Sequence, residues 1–390
     1  MNHARELARA VNDYVVAFRR DLHQHPEPSL KEFRTTDRIC EELDKLGVSY
    51  RRCEPTGVIA EVKGTKGESD KIVMLRGDID ALSIQEKTGL PFASVNDGFM
   101  HACGHDTHGA MLLGAVKVLS ENTDEFAGTV RFVFQPAEEV GEGAALMVKQ
   151  GAMENVQRAY GIHIGSLRPV GQIAACAGAS HAACDSFKIT VKGVTCHGAA
   201  PHTGVDALVC ASAIVMNLQT LVSRETDPSQ QLVVTVGSFH AGSRFNIVTG
   251  EAVLEGTCRS FSREIHDKLP EMLNRVVQST AAAYRCTAEL QYDCLTDVLV
   301  CDEETTTFGL ECAKKVADSA DMVVRSHAQA GGEDFAEYTK CDAKCTFFSL
   351  GAGGDAPQHS EKCVFDESAF EIGVALYVQL ACDTLDQLNA

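Results

Sequence analysis

The pattern of hydrophobic and polar positions divides most of the chain into short apolar strands and amphipathic helices. The apolar runs are rich in β-branched or aromatic residues, as is typical of strands buried on both faces. They lie at residues 71–76, 130–135, 160–164 and 345–350. Apolar residues recur at helical spacing at 34–46, 107–120, 143–151, 303–317 and 366–386. Strands and helices in this alternation predict an α/β architecture around a largely parallel sheet.

A different pattern occupies the middle of the chain. Between residues 184 and 293, strand-like and helical segments follow one another in the order β-α-β-β-α-β, which predicts the ferredoxin-like split unit. The strand at 345–350 is expected to rejoin the opening sheet. A chain of 390 residues also favours two domains over one. We therefore predict an inserted domain at 184–293 and a discontinuous first domain formed by 1–183 and 294–390.

Composition narrows the classes of partner. The formal net charge is −19, from 35 Lys and Arg against 54 Asp and Glu, so no basic surface for nucleic acid is expected. No apolar run approaches the roughly 20 residues of a membrane span, and the N-terminal segment lacks the apolar stretch of a signal peptide. The sixteen cysteines, many within apolar runs, are expected to be reduced thiols. We expect a soluble, cytoplasmic protein that binds neither nucleic acid nor membrane.

One short segment concentrates side chains capable of chemistry. The stretch MHACGHDTHGAM spans residues 100–111. Its imidazoles and thiol belong to His101, Cys103, His105 and His108. Asp106 or Thr107 in the same segment could cap the helix that follows, and such a cap is compatible with neighbouring metal ligands.

Polar side chains also accompany the strands predicted for the first domain. Asp78 and Asp80 follow the strand at 71–76, and Glu138 and Glu139 follow the strand at 130–135. His163 lies within the strand at 160–164, and His359 follows the strand at 345–350. Because ligands bind at the carboxyl ends of strands in open α/β sheets, these groups should converge there.

A buried cluster of this kind requires a compensating cation, since crowded carboxylates resist ionisation. Taken alone, His163 could be a core histidine, and Glu138 and Glu139 could simply begin a helix, where the helix dipole favours acidic residues. Their joint placement at strand ends favours a metal centre instead.

Several motifs resemble those of a known enzyme family. The motifs are RRDLHQHPEPSLKEFRT, HACGHDTHGAMLLGA, FQPAEEVGEGA, GIHI, GGEDFAEY and GGDAPQHS, in collinear order from about residue 19 to 370. They resemble metal-dependent amidohydrolases of the aminoacylase and carboxypeptidase superfamily. Within it they are similar to the branch of hippurate hydrolases, N-acyl-L-amino acid amidohydrolases and auxin-conjugate (IAA-amino acid) hydrolases. The resemblance implies a zinc-exopeptidase-like catalytic domain and a ferredoxin-like lid through which a homodimer forms.

The resemblance also implies a ligand set for two divalent metal ions. The implied ligands are Cys103, His105, Glu139, His163 and His359. One thiolate among imidazoles and a carboxylate favours zinc or a neighbouring first-row ion over magnesium or calcium. Zinc or manganese is expected, and cobalt or nickel would also fit. Cys103 is expected to bridge the two ions.

Catalytic roles follow from the same resemblance. Glu138 is the implied general base, which takes a proton from the attacking water and passes it to the leaving amine. Asp80 matches an aspartate that orients a metal-binding histidine. His197, in TCHGAAPH, matches a histidine that polarises the scissile carbonyl oxygen. The branch usually has GGHAAxPH at this point, so the match of His197 is incomplete.

Two further residues match positions that face the substrate. Asn246 and Arg259 could together bind an α-carboxylate, or could be a turn residue and a strand surface charge. The sequence AGGEDF stands where the branch has MGSEDF, and it keeps Glu333 and Asp334. This difference bears on substrate preference more than on the chemistry.

The predicted function is metal-dependent hydrolysis of the amide bond in N-acyl-L-amino acids. One alternative is a dipeptidase or carboxypeptidase of the same superfamily. A hydrolase with Cys103 as nucleophile and a histidine base would need no metal and would leave the glutamate pair unexplained. A non-catalytic metal-binding protein would have no need for Glu138.

Overall fold

The computed structural model describes residues 3–390 and divides into two compact units. The first unit contains the chain up to Ser180, then Val300–His327 and Asp334–Ala390. The second unit contains His181–Leu299 and Ala328–Glu333. It therefore extends a few residues beyond the interval 184–293 at both ends, and it takes in a short later segment.

The helices are α1 (Ala4–Ala10), α2 (Asn12–Gln24), α3 (Phe33–Leu46), α4 (His105–Glu121), α5 (Gly143–Lys149), α6 (Ala207–Thr220), α7 (Arg263–Ala283), α8 (Glu303–Lys314) and α9 (Phe370–Leu388). The strands are β1 (Ser49–Arg52), β2 (Val58–Lys63), β3 (Ile72–Asp78), β4 (Thr129–Gln135), β5 (Arg158–Gly165), β6 (Ile173–Ala175), β7 (Gly178–His181), β8 (Ala183–Lys192), β9 (Cys196–His197), β10 (Leu232–Ala241), β11 (Ile247–Val248), β12 (Glu251–Ser260), β13 (Thr287–Thr296), β14 (Leu299–Cys301), β15 (Val323–Arg325) and β16 (Lys344–Gly351).

The first unit is built on an eight-stranded sheet of order β1-β2-β4-β3-β5-β16-β6-β15. Its central strands β4, β3, β5 and β16 run parallel. Antiparallel pairing joins β1 to β2, β2 to β4, and β16 to β6. The unit is thus a mixed α/β structure with a mostly parallel central sheet. The parallel centre consists of the four strands that the apolar runs predict, since such strands are covered on both faces.

Close helix packing covers this sheet. Helix α4 packs against α2, α9 and β3, and its Met111, Leu112 and Val116 are fully buried. A Cβ at Gly114 would lie 2.6 Å from Val15 Cγ2 and 2.8 Å from Val374 Cγ2. The absence of a side chain at Gly114 therefore lets α4 approach both neighbouring helices.

Some helix boundaries differ from those predicted by periodicity. Helix α9 begins at Phe370 instead of residue 366, because a 3-10 turn, Glu367–Ala369, precedes it. The Asp366 carboxylate accepts a 2.9 Å hydrogen bond from the Ser368 backbone N–H in this turn. Apolar spacing alone does not distinguish such a capped turn from the first turn of the helix.

The second unit has an antiparallel sheet of order β10-β12-β8-β13, against which α6 and α7 pack. Along the chain its main elements follow the order β8, α6, β10, β12, α7, β13. Burial alternates along β8, with Phe187, Ile189 and Val191 buried and Lys188 and Lys192 exposed. One face of this sheet therefore forms a core with the helices.

One helical stretch of the second unit is long and apolar. Ala207–Glu225, which is α6 with a following π-helical turn, has the length and composition to cross a membrane. Its Cys210, Ile214 and Leu218 are buried in the core of the second unit, whereas its Leu208, Val209 and Met216 are exposed. The expectation that no segment of the chain has the length and composition of a membrane span was therefore wrong.

A buried histidine ties α7 to the sheet of the second unit. His266 Nε2 lies 3.0 Å from Asp185 Oδ1, and the Tyr292 hydroxyl donates to Asp185 Oδ2 at 2.6 Å. His266 Nδ1 lies 3.5 Å from Asp297 Oδ1. Hydrogen bonding to Asp185, and then to Asp297, raises the pKa of His266 to about 10.

The substitution His266→Gln should therefore destabilise the second unit in a pH-dependent way. The folded pKa of about 10 lies above the unfolded value of about 6.5, so the stabilisation is complete below pH 6.5 and disappears as the pH rises towards 10. At pH 6 we expect a loss of about 2 kcal/mol in urea unfolding of the metal-free protein, followed by circular dichroism. His240→Gln, at an exposed histidine of β10, is the control. An equal loss at pH 6 and pH 10 would contradict the ionic role of His266.

Candidate metal centre

The parallel strands of the first unit carry the predicted donors to one edge of the sheet. β3 ends at Asp78, and β4 ends three residues before Glu138. His163 lies near the end of β5, and His359 follows β16. Because β3, β4, β5 and β16 are parallel, their carboxyl ends meet at the same edge, where ligands bind in open α/β sheets.

Two groups of donor atoms share Cys103. One ligand atom from each of Cys103, His105 and His163 lies within 4.8 Å of the others, and the same holds for Cys103, Glu139 and His359. Cys103 Sγ lies 3.4 Å from His163 Nε2, and His359 Nε2 lies 3.7 Å from Glu139 Oε2. The structure thus brings together all the residues that the sequence analysis names as ligands.

The two adjacent glutamates approach the same imidazole. His105 Nε2 lies 3.8 Å from Glu138 Oε2 and 3.8 Å from Glu139 Oε1. The side chains of Glu138 and Glu139 are only 11% and 10% exposed. Both carboxylates are therefore within reach of one small volume beside His105.

Hydrogen bonds fix how the imidazoles face this volume. His105 Nδ1 lies 3.1 Å from Asp80 Oδ1, and Asp80 Oδ2 accepts from the Ser29 hydroxyl at 2.7 Å and from the Glu139 N–H at 3.1 Å. His163 Nδ1 donates to the carbonyl oxygen of Ile164 at 2.7 Å. With Nδ1 as donor in both rings, each Nε2 presents its lone pair to the cluster.

The burial and chemistry of these atoms fit divalent metal ions. Within residues 3–390, the buried atoms His105 Nε2 and Glu139 Oε1 have no hydrogen-bond partner, a costly arrangement that a metal ion would relieve. Burial raises the pKa of Cys103 well above its usual range and also raises the pKa of Glu139, whereas a bound cation favours the ionised forms of both. Burial lowers the pKa of His163, which favours the neutral form that binds metals.

The loops that present these donors adopt unusual backbone conformations. Gly104 has φ +100, and a Cβ there would lie 2.5 Å from Ile164 Cγ2, so glycine is required directly before the helix that begins with His105. Ala137 and His359 have φ +56 and +62. Such conformations cost on the order of 1–3 kcal/mol and concentrate at functional sites. The Ala137 N–H donates to Glu32 Oε1 at 2.9 Å, which holds the turn before Glu138.

Asp106 does not cap α4, contrary to one of the possibilities raised by its position. The helix has no side-chain cap at its N-terminus. Asp106 Oδ2 instead lies 2.7 Å from Arg19 Nε and 2.7 Å from His23 Nδ1. The Thr107 hydroxyl donates to the Gly104 carbonyl oxygen at 2.6 Å. Asp106 forms a buried ion pair because Arg19 of α2 reaches it, a contact that local sequence does not reveal.

Sequence reasoning assigned no role to several residues beside the cluster. His108 Nδ1 forms a short hydrogen bond with Asp78 Oδ1, and His108 Nε2 accepts from the Ile164 N–H at 2.8 Å. The Gln358 amide donates to the Cys103 carbonyl oxygen at 2.9 Å. The sequence did contain one indication for His108. Its i, i+3 spacing from His105 places both side chains on one face of the helix.

The second unit contains the predicted residues His197, Asn246 and Arg259, of which His197 and Asn246 lie together. His197 of β9 pairs with Ile247 of β11, and the Gly198 N–H donates to the carbonyl oxygen of Asn246 at 2.8 Å. His197 Nδ1 accepts from the Ala199 N–H at 3.0 Å. Arg259 lies in β12 of the larger sheet, where its guanidinium donates to the Cys258 carbonyl oxygen at 2.9 Å.

The chain is similar to known proteins over most of its length. Residues 74–383 match peptidase family M20/M25/M40. Thermostable carboxypeptidase 1 of Saccharolobus solfataricus is 36% identical over 385 residues, which are 96% of each chain. N-acetylcysteine deacetylase of Bacillus subtilis is 36% identical over 98% of this chain and 99% of its own.

A solved structure also resembles the protein. The Bacillus subtilis YXEP protein, described as a dinuclear metal-binding peptidase of the M20 family, gives a TM-score of 0.84 at 34% identity, covering 97% of this chain and 99% of that chain. The family relationship inferred from the motifs is confirmed, and the chain belongs to peptidase family M20/M25/M40.

Proposed function

We propose that this protein hydrolyses the amide bond of N-acyl-L-amino acids at a centre of two divalent metal ions. Membership of the family makes it a metal-dependent hydrolase. The observation that carries the proposal is the position of Glu138, which lies 3.8 Å from His105 Nε2 beside a complete set of donors. A purely metal-storing site has no need for a second glutamate next to the ligand Glu139.

The grouping of donor atoms supports a division of the ligands between two ions. His105 and His163 form one group with Cys103, and Glu139 and His359 form the other. Cys103 belongs to both groups, so its thiolate would be within reach of both ions. The mixed donor set suits zinc or manganese, with cobalt or nickel as further possibilities. When bound, the ions supply Lewis-acid polarisation of the amide and a lowered pKa for the attacking water.

The protein supplies proton transfer and orientation. Glu138 takes the proton from the attacking water and delivers it to the nitrogen of the leaving amine. Asp80 holds Nδ1 of His105 and the backbone N–H of Glu139, so one carboxylate orients two ligands. The high pKa of the buried Cys103 thiol opposes the alternative in which Cys103 is a free thiolate nucleophile.

The second unit contributes substrate contacts in this proposal. Since His197 Nδ1 accepts from the Ala199 N–H, its Nε2 carries the proton in the neutral ring and can donate to the scissile carbonyl oxygen. Asn246, which lies beside His197, would bind the α-carboxylate of the amino acid. Arg259, which donates to the Cys258 carbonyl oxygen in β12, would reach the same carboxylate from a separate part of the unit. The unit thereby acts as a ferredoxin-like lid on the catalytic domain.

We also propose a cytoplasmic homodimer that forms through the second unit. Apolar side chains are exposed on α6 at Leu208, Val209 and Met216, and on β10 at Val233 and Phe239. β10 is an edge strand, and exposed edges and apolar patches favour association. Within residues 3–390 all cysteines are free, which supports a reducing compartment.

The substitution Glu138→Gln should abolish most turnover without loss of metal. Since general acid–base catalysis contributes about 10²- to 10⁴-fold, kcat should fall by that factor while metal content, measured by atomic absorption, stays at the wild-type value. Glu142→Gln, at an exposed glutamate of the same loop, should retain activity. Wild-type turnover in Glu138→Gln would exclude Glu138 as the base.

The substitution Cys103→Ser should lower both metal content and rate, because the shared ligand of both donor groups becomes a harder, less acidic oxygen. We expect fewer than two ions per chain after dialysis and a lower kcat. Cys294→Ser, at an exposed cysteine, should match the wild type. A metal-replete and fully active Cys103→Ser variant would contradict the ligand role.

The substrate class can be tested by amine release after reconstitution with zinc or manganese. The panel consists of N-acetyl, N-benzoyl, long-chain acyl and indole-acetyl amino acids together with dipeptides. We expect cleavage of N-acyl amino acids that disappears on chelation and returns with added metal. Faster cleavage of dipeptides would favour the dipeptidase or carboxypeptidase alternative, and chelator-resistant cleavage would favour a thiol mechanism.

A further inference from the structure

Asp334 lies in a buried polar network that the proposed mechanism does not use. It is the residue at which the chain returns to the first unit. Asp334 Oδ1 accepts from Arg76 Nη2 at 2.7 Å, and its two oxygens accept from Gln135 Nε2 at 2.8 Å each. Asp334 Oδ2 also accepts from the Ala144 N–H at 2.8 Å. The side chains of Arg76 and Asp334 are 1% and 0% exposed.

These contacts connect the segments on both sides of the glutamate pair. Gln135 ends β4, directly before the turn that carries Glu138 and Glu139, and Ala144 lies in the first turn of α5, directly after it. One carboxylate thus holds both ends of the glutamate loop.

Arg76 extends the network to the histidines of α4. Its Nη1 donates to Asp78 Oδ2 at 2.6 Å, and its Nε donates to Gln135 Oε1 at 2.7 Å. The other Asp78 oxygen is hydrogen-bonded to His108, and Asp78 Oδ2 lies 3.8 Å from His105 Nε2. The planar guanidinium therefore spans two carboxylates and an amide in one fixed geometry.

The charges in this network are mutually dependent. The Arg76 guanidinium is paired with Asp78 at 2.6 Å and with Asp334 at 2.7 Å, and all three side chains are buried. Arg76 keeps its charge at any pH, and breaking a buried ion pair leaves the remaining charge uncompensated. Removal of the Asp334 charge would therefore allow Arg76 to move relative to Asp78.

We propose that Asp334 is a positioning residue that, through Arg76 and Gln135, sets the spacing between the Glu138–Glu139 loop and the histidines of α4. This role rests on the proposed function, because the spacing matters only if these residues form the metal centre. It requires no contact between Asp334 and the metal or the substrate.

The test uses Asp334→Asn in the full-length chain. Metal affinity is measured on the apoprotein by competition for Zn²⁺ with a chromophoric chelator, and kcat and KM are measured after reconstitution. Outer-shell partners of metal ligands contribute about 10- to 100-fold in affinity, so the Zn²⁺ Kd should rise by that factor. We expect kcat to fall with KM little changed, and the circular dichroism of the apoprotein to be retained.

The control is Glu371→Gln, which removes an ion pair with Arg5 at 2.7 Å in the same unit and should leave the Zn²⁺ Kd unchanged. If Asp334→Asn does not fold, Arg76→Lys is tested instead. This variant keeps the positive charge but lacks the planar guanidinium that contacts both carboxylates, so the same rise in the Zn²⁺ Kd is expected. A folded variant with a lower Tm but wild-type Kd and kcat would overturn the proposal. If the wild type binds zinc but cleaves no substrate, the proposed function fails while the result on Kd stands.

Discussion

The structure depends on how buried carboxylates and metal-ligand atoms are stabilised at the carboxyl ends of the parallel strands. Asp78, Asp80 and His105 are almost completely buried there, and Glu138 and Glu139 are about nine-tenths buried. Carboxylates so close together would repel one another, and burial adds to the cost. The fold meets this constraint in two ways. Arginines form ion pairs with some of the carboxylates, and others lie among potential metal ligands, where a bound cation would compensate their charge.

Different carboxylates are stabilised in different ways. Asp78 is paired with Arg76 and Asp106 with Arg19. Asp80 instead accepts hydrogen bonds from Ser29 and from the backbone of Glu139, and it lies 3.1 Å from His105 Nδ1. For Glu139 and Cys103, by contrast, burial dominates and raises the pKa. Metal binding is proposed for these two groups.

Much of this organisation could be predicted from sequence because it rests on local patterns. The apolar runs identified the four central strands, and the polar residues near their carboxyl ends indicated a metal centre, since parallel strands share one direction. The individual ligands were predicted from the resemblance of the motifs to those of the family. Contacts between distant segments left no such pattern. Arg76 and Asp334 are 258 positions apart, and the pairing of Arg19 with Asp106 depends on how α2 packs against α4. The 3-10 turn before α9 could not be predicted either, because a 3-10 turn and the first turn of a helix have similar spacing of apolar residues.

The two solutions differ in what they allow the protein to do. An arginine–carboxylate pair is permanent, so the residues it holds are fixed whether or not the site is loaded. A metal ion can exchange, and it leaves coordination positions open for water and substrate. Asp78 is held by Arg76, and Gln135 and Ala144 are held by hydrogen bonds to Asp334. The exchangeable ions are proposed to bind between His105, Glu139 and Cys103. Since a preorganised site loses little energy to rearrangement during reaction, permanent ion pairs around the proposed metal centre would favour hydrolysis.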